Sequence, residues 1–365
     1  MLLAPTFSRY LGRQFLLSFG AIFFLLAAVA LVIDLVELLR RTSSKQDANF
    51  GIVLDMALLK LPNVVEHLVP FAVLFGGIVA FARLMRHREI VIVRAAGLSV
   101  WQLLMPALLI AFLIGIVKVA VFNPVAAATL GKYEQLEAKY LKGRNSLLAV
   151  SSSGVWLRQA DAGGPSVVHA RSVSPRGMEM YDFIIFLYDN QNRFVGRIDA
   201  KKARLDVGFW RLEDAWLTGP DRPARHEDQF AVQTDLTVEK IQESFATPAS
   251  VSFWELPHFI TVLETAGFSG LRHRIHWNAM LADPALLCAM VLFAATFTLR
   301  MNLRRGVPLL TIAGAIGTGI VLYFISDVVF ALGASSNIPV SLAAWSPAGI
   351  SLLLGVSVLL YTEEG

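Results

Sequence analysis

RHREIVIVRAAGLSVW, residues 86–101, is the stretch from which the fold can be read. It opens with three basic side chains, Arg86, His87 and Arg88, followed by the carboxylate of Glu89, and it separates two of the most apolar runs in the chain. Upstream lies 61–82 and downstream 98–119. A membrane-spanning helix needs about 20 mostly apolar residues, and both runs meet that length. Working outward adds four more: about 15–36, 284–299 with a start one or two turns earlier, 307–326 and 343–361. Composition agrees, since 55% hydrophobic residues, 16% charged residues and a mean hydropathy of +0.58 are too apolar for one soluble core with a polar shell. Six spans is an even number, which puts both termini on one side.

The first run does not read as a cleavable signal peptide, because it ends in VIDLVELLRR rather than in a small-residue cleavage site. The single cysteine, Cys288, lies in the fourth run, so no intramolecular disulfide is possible and redox compartment is not reported. Between the third and fourth runs the period changes. Alternating apolar and polar residues recur in SGVWLRQ, SVVHARSV, RFVGRIDAKKARLD, FWRLEDAWLTG and FAVQTDLTVEK, separated by the turn clusters DAGGP, DNQN and TGPDRP. Strands of that length without helical periodicity predict an all-β sandwich or jelly roll. The expected organisation is spans one to three in 1–129, a β-domain in 130–270 and spans four to six in 271–365.

Lysine and arginine in the short loops set the orientation. With the N-terminus inside, the inside loops carry nine (Arg9, Arg13, Arg83, Arg86, Arg88, Arg94, Arg300, Arg304 and Arg305) and the short outside loops four (Arg40, Arg41, Lys45 and Lys60). The β-domain then lies outside, which in a Gram-negative bacterium is the periplasm. Its 16 Lys and Arg against 18 Asp and Glu give it a net charge of −2, so the overall +4 belongs to the membrane part and does not invite nucleic acid. The chain has no G-x-x-x-x-G-K-[ST], H-E-x-x-H or G-x-S-x-G, so any energy it uses comes from a partner.

On the inside, EIVIVRAAG (89–97) has helix-compatible residues ending at Gly97, a plausible helix C-cap. Two readings are open on pattern alone: an interfacial helix whose arginines satisfy the positive-inside rule, or a helix that docks into a cytoplasmic partner and transmits its motion. E-x-x-x-x-R-A-A-G-x-S between spans two and three resembles the coupling helix of the lipopolysaccharide-export permeases of the LptF/LptG type. The resemblance covers the whole chain, including HWNAMLADPALLCAMVLFAATF, the basic loop RMNLRRG and the ending YFISDVVFALGASSNIPVSLAAWSPA, and within the pair it is more similar to LptG. It implies six transmembrane helices, three on each side of an inserted periplasmic β-jelly roll, and a transport permease rather than an enzyme. It further implies a cytoplasmic ABC ATPase dimer that uses ATP and Mg, a second homologous permease (LptF-like), a single-span periplasmic protein (LptC-like), a periplasmic bridge protein (LptA-like) and lipopolysaccharide as substrate.

Candidate residues follow. The resemblance assigns coupling to the ATPase to Arg88, Glu89, Arg94 and Gly97, about 86–97 forming the helix; the bland alternative is that Glu89 pairs with Arg86 or Arg88 on a solvated face. Arg40, Arg41 and Lys45 lie outside the end of span one, where an anionic head group or plain solvation would suit them. Some relatives carry a basic residue deeper in this span, whereas this chain has Asp34 and Glu37. Glu66 and His67 early in span two, between Pro62 and Pro70, and Asp327 at the end of span five, are ionisable groups of the kind that face a bundle interior or substrate path. In MYDFIIFLYDN (180–190), Phe183, Ile185 and Leu187 point to one face of a strand and Ile184 and Phe186 to the other, so both faces are apolar: a central strand, or one bordering a lipid route. His273 and His276 have the spacing of two metal ligands but no companion cluster, so no metal is expected. Trp101, Trp277 and Trp345 read as interfacial anchors. Two other classes stay open: a mechanotransmitting permease-like protein of another type, and a membrane-anchored periplasmic enzyme or binding module.

Overall fold

The computed structural model describes residues 5–42, 49–87, 89, 97, 99–141, 148–151, 154–161, 164–174, 179–189, 191, 193–220, 222–234, 247–265, 269–299, 309–334 and 338–364. They group into two compact units: a helical one of Met1–Leu141, Ala249–Trp254 and Arg274–Gly365, and a second of Lys142–Pro248 with Glu255–His273.

The helical unit has α1 (Pro5–Thr42), α2 (Phe50–Arg86), α3 (Val100–Val117), a π-helical turn (Lys118–Phe122) and α4 (Asn123–Tyr140). After the β-strands come α5 (Leu256–Thr265), a short helix of the second unit, then α6 (Leu271–Leu299), α7 (Leu309–Ala334) and α8 (Val340–Glu364). Among the described residues, six stretches are long and apolar enough to cross a membrane, Val100–Tyr140 counting as one. The helices outrun the apolar runs of the sequence. At 38 residues α1 is about 57 Å long, nearly twice a hydrocarbon core of about 30 Å. An apolar window marks only the hydrocarbon-embedded part; the backbone goes on satisfying its own hydrogen bonds in the head-group layer, where polar side chains are tolerated. Hence Lys60, assigned to an outside loop from the sequence, lies inside α2, and residue 130, taken as a domain boundary, lies inside α4. The fourth span likewise starts at Leu271, more than three turns before Pro284 rather than one or two.

Phe15, Leu74, Leu84, Leu104, Ala111, Leu287 and Ala294 form the centre of the helical core. The outer faces are as apolar as the inner ones: Phe24, Ile33, Phe324 and Leu353 are each more than 60% exposed. So much exposed hydrocarbon is stable only in lipid or against other apolar surfaces. Close approach inside uses glycine. A Cβ on Gly76 of α2 would lie 2.7 Å from Cα and 2.9 Å from N of Phe19 on α1. Backbones this near are the small-residue packing of membrane helices. Gly76→Val should therefore push α1 away and cost about 1–3 kcal/mol, read as a lower unfolding midpoint in detergent; an unchanged midpoint would contradict the contact.

The second unit holds β1 (Leu148–Ser151), β2 (Gly154–Asp161), β3 (Gly164–Val173), β4 (Glu179–Tyr188), β5 (Phe194–Asp206), β6 (Phe209–Gly219) and β7 (Arg222–Gln233). All neighbours are antiparallel and the strand order is the chain order. The inserted all-β domain is thus a seven-stranded meander, because each strand returns beside its predecessor through a short connection. Its core consists of strand residues from β2 to β7, with Val168, Met180, Ile185, Trp210 and Leu212 at 0% exposure. A flat single sheet would leave that face in water, so the sheet curls around it. The alanines at 200, 203 and 215 leave room inside for the rings of Phe183 and Trp210, whose centroids are 4.9 Å apart.

One feature of the sheet breaks simple alternation. Met180 and Phe183, Ala200 and Ala203, and Leu212 and Ala215 all face the core although each pair is three residues apart. The extra residue recurs at the same level on adjacent strands, at Asp182, Lys201 and Asp214, so the register between strands is kept. Asp182 and Asp214 take positive φ (48° and 56°) there, a conformation aspartate tolerates better than most residues. The row bends the sheet across its strands, as bulges do.

Candidate functional site: a polar cluster among the apolar helices

The third long apolar stretch carries the polar residues Lys118 and Asn123, and the helix widens to π geometry over Lys118–Phe122. Such π-turns are rare, and many occur at functional sites. Lys118 Nζ donates to Asp283 Oδ2 of α6 at 2.5 Å, with the side chains only 9% and 16% exposed. Asn123 Nδ2 donates to both oxygens of Glu66 on α2, at 3.2 and 3.4 Å, and Asn123 Oδ1 accepts the backbone N–H of Phe253 at 2.9 Å. Trp254 Nε1 donates to the Ala120 carbonyl within the π-turn at 3.1 Å. The Ala249–Trp254 segment, although it follows the strands in sequence, is thereby held to the helical unit. Glu66 and Asn123 are buried. An isolated charge here would be prohibitively costly, so pairing and amide hydrogen bonds are what make the cluster tolerable.

A cavity of about 330 Å³ adjoins these groups. Glu66, His67, Lys118, Asn123, His276 and Asp283 supply its polar lining, and Phe71, Leu286, Met290 and Leu322 its apolar lining. Of the sequence candidates, the structure brings Glu66 and His67 to this site; the His67 Nδ1 atom is 2.8 Å from the Asn63 carbonyl oxygen. Asp327 lies in α7, and its side chain is outside the described residues. Sequence reading missed Lys118, Asn123 and Asp283. A lone lysine in the apolar run IGIVKVAVF and an aspartate beside a proline in LADPALL were the available signals.

At the end of α1, Glu37 binds both Arg40 (2.9 Å) and Arg41 (2.7 Å), and Arg41 also lies 3.9 Å from Glu137. Asp34 pairs with Lys60 of α2 at 2.6 Å. Asp34 and Glu37 thus have cationic neighbours within this chain. Lys45 is outside the described residues, as are Arg88 and Arg94. Glu89 Oε1 accepts the Tyr10 hydroxyl of α1 at 3.1 Å. Gly97 has φ +81°, a left-handed conformation that favours glycine, and Ser99 with Gln102 forms a capping box opening α3 (3.1 and 3.3 Å). The S-x-x-Q signal for that cap was legible in GLSVWQ. His273 packs against the Phe259 ring, and His276 lines the cavity. Trp277 stacks on Phe253, and Trp345 is 44% exposed.

In the β-unit, Phe183 and Ile185 are fully buried and Leu187 packs beside them, whereas Ile184 and Phe186 are half-buried on the opposite face. Phe186 stacks with Trp156 at 6.4 Å and carries Arg197 above its ring at 5.5 Å.

Six apolar helices flanking an inserted antiparallel sheet, with charges paired inside the bundle, define a multi-pass membrane protein with one extramembrane β-domain. The family model for the lipopolysaccharide export system permease LptF/LptG matches residues 9–361, and the chain belongs to that family. It is similar to the lipopolysaccharide export system permease protein LptG of Escherichia coli K12, 22% identical over 360 residues that cover 96% of this chain and 97% of the relative. It is also similar to LptG of Haemophilus influenzae, 23% identical over 361 residues covering 96% of each.

Proposed function

We propose that this chain is the permease subunit of an ATP-driven exporter that extracts lipopolysaccharide from the inner membrane and passes it through its periplasmic β-domain toward the outer membrane. The observation that carries this reading is the family match along almost the whole chain, by a protein with three spans on either side of an inserted β-sheet. The arginine bias of the short loops supports cytoplasmic termini and a periplasmic sheet. Partners on this reading are a cytoplasmic ABC ATPase dimer using ATP and Mg, a second LptF-like permease, an LptC-like single-span protein and an LptA-like bridge; the chain itself performs no hydrolysis.

Glu89, with Arg88, Arg94 and Gly97, would seat the coupling helix in the ATPase, and the Tyr10 hydrogen bond would carry its displacement into α1. The deciding experiment is ATP-dependent release of lipopolysaccharide from proteoliposomes holding the assembled complex. Glu89→Lys should cut release about tenfold, equivalent to losing about 1.4 kcal/mol of docking, with assembly intact. Release at the wild-type rate refutes the coupling role, and absence of ATP-dependent release from the wild type refutes the function.

Arg40, Arg41 and Lys45 are the proposed head-group contacts. A phosphate must compete with Glu37 and Glu137, so the effect is modest: replacing both arginines with Gln should weaken lipid capture about two- to fivefold at low salt and less at high salt. Equal loss at both salts argues against direct charge contact. Within the β-domain, the proposed lipid route runs along the inner face of β4. Photo-crosslinkers at 183, 185 and 187 should label lipopolysaccharide during ATP turnover, and those at 184 and 186 should not; labelling at none of the five would move the route elsewhere.

A further inference from the structure

The cavity beside Glu66 has the lengthwise polarity of a lipid. On α2 the lining runs from polar Asn63 and Glu66 to Phe71; on α6 it runs from His276 and Asp283 to Met290. The α7 lining runs the other way, from Gly319 and Leu322 to Ser326, with Phe330 beyond it, so the charged and amide groups gather toward one end, where Phe330 also stands, and the other end is apolar. Trp277, one turn along α6 from Met280 of the lining, and Trp254 on the π-turn stand near the polar end, as interfacial indoles do. The volume of about 330 Å³ is in the range of small-ligand sites.

Charge selects the head group. Lys118 is engaged by Asp283, while the Glu66 carboxylate meets the neutral amide of Asn123; the lining thus holds two carboxylates and one ammonium, beside the imidazoles of His67 and His276. A purely anionic head group would face the two carboxylates with no ammonium of its own, whereas in a zwitterionic head group a primary ammonium would find acceptors in Glu66 and Asp283 and leave its phosphate to the remaining N–H groups of Lys118. We infer that this cavity binds a membrane lipid through a primary ammonium head group, the ammonium at Glu66 and an acyl segment along Phe71 and Met290, at a site inside one chain. The inference needs only that these helices lie in a membrane, so it can stand if the export reading fails.

The test is native mass spectrometry of the full-length protein in detergent with phosphatidylethanolamine, phosphatidylcholine or phosphatidylglycerol at equal concentration. One phosphatidylethanolamine should be retained per chain, in preference to each of the others by about tenfold, as for one charge-assisted hydrogen bond. Phosphatidylcholine is the sharp control, since its ammonium has no N–H to donate. Glu66→Gln, which keeps the Asn123 contact and the shape, should erase the preference; Leu286→Trp, filling the apolar end, should abolish retention with Glu66 intact. Equal retention of all three lipids, an undiminished preference in Glu66→Gln, or displacement by free ethanolamine at the lipid's own concentration would each overturn the assignment.

Discussion

Lys118→Met is expected to destabilise the helical unit by about 3–5 kcal/mol, the usual cost of removing one partner from a buried ion pair. The substitution keeps the length and apolar stem of the side chain, so packing is little changed. It strands Asp283, 16% exposed, beside Glu66, 7% exposed, with no cation between the two carboxylates. The measurement is the thermal unfolding midpoint of the purified protein in detergent. Adding Asp283→Asn should restore much of the loss, because the stranded charge is then gone; replacing a whole buried pair is often close to neutral. A single mutant as stable as wild type, or a double mutant no better than the single, would show that the pair does not hold α3 and its π-turn to α6.

Trp210→Ala should have a comparable effect on the other unit, about 3–5 kcal/mol. The Trp210 side chain is fully buried, its ring centroid lies 4.9 Å from that of Phe183, and the residue pairs with Leu205 of β5 and Val232 of β7. Its neighbours are held in place by paired strands on both sides, so the backbone cannot close over the space left by the ring. The resulting void therefore keeps most of its cost. Calorimetry on the full chain should show one transition moving down and the other held; a shift under 1 kcal/mol, or an equal shift of both, would mean the sheet collapses readily or that the two units unfold as one. Near-ultraviolet circular dichroism would register the loss of the indole environment directly.

Both substitutions touch positions that are hard to weigh from sequence. Lys118 sits in an apolar run with no charged residue within helical reach, and its partner is 165 positions away. Nothing in the local pattern joins them, so Glu66 and His67 were recognisable as unusual while the residues completing their site were not. Trp210 fell on a strand that was legible, in a domain whose β class was legible although β1 and the first half of β7 were not read as strands, but its depth depends on how the sheet curls.

What the sequence determined by itself is what one-dimensional pattern can carry: six apolar runs long enough to span, the change of period between the third and fourth, the turn clusters, and the motif by which the family was recognised. Hydrophobic length and periodicity are local properties, and a bilayer or a pleated sheet reads them locally. The true ends of the helices were not so carried, since the head-group layer accepts polar residues that a hydropathy window rejects. Nor were the two consecutive outward residues at KK (201–202) and ED (213–214), which mark a bend only once neighbouring strands are seen to share it. The tertiary structure alone decided that Asp34 pairs with Lys60, that Glu37 binds both Arg40 and Arg41, and that Lys118, Asp283, Asn123 and Glu66 converge on one cavity. The reason is physical: a buried charge is tolerable only when an opposite charge or an amide meets it, and which residue arrives there is set by helix packing rather than by distance along the chain.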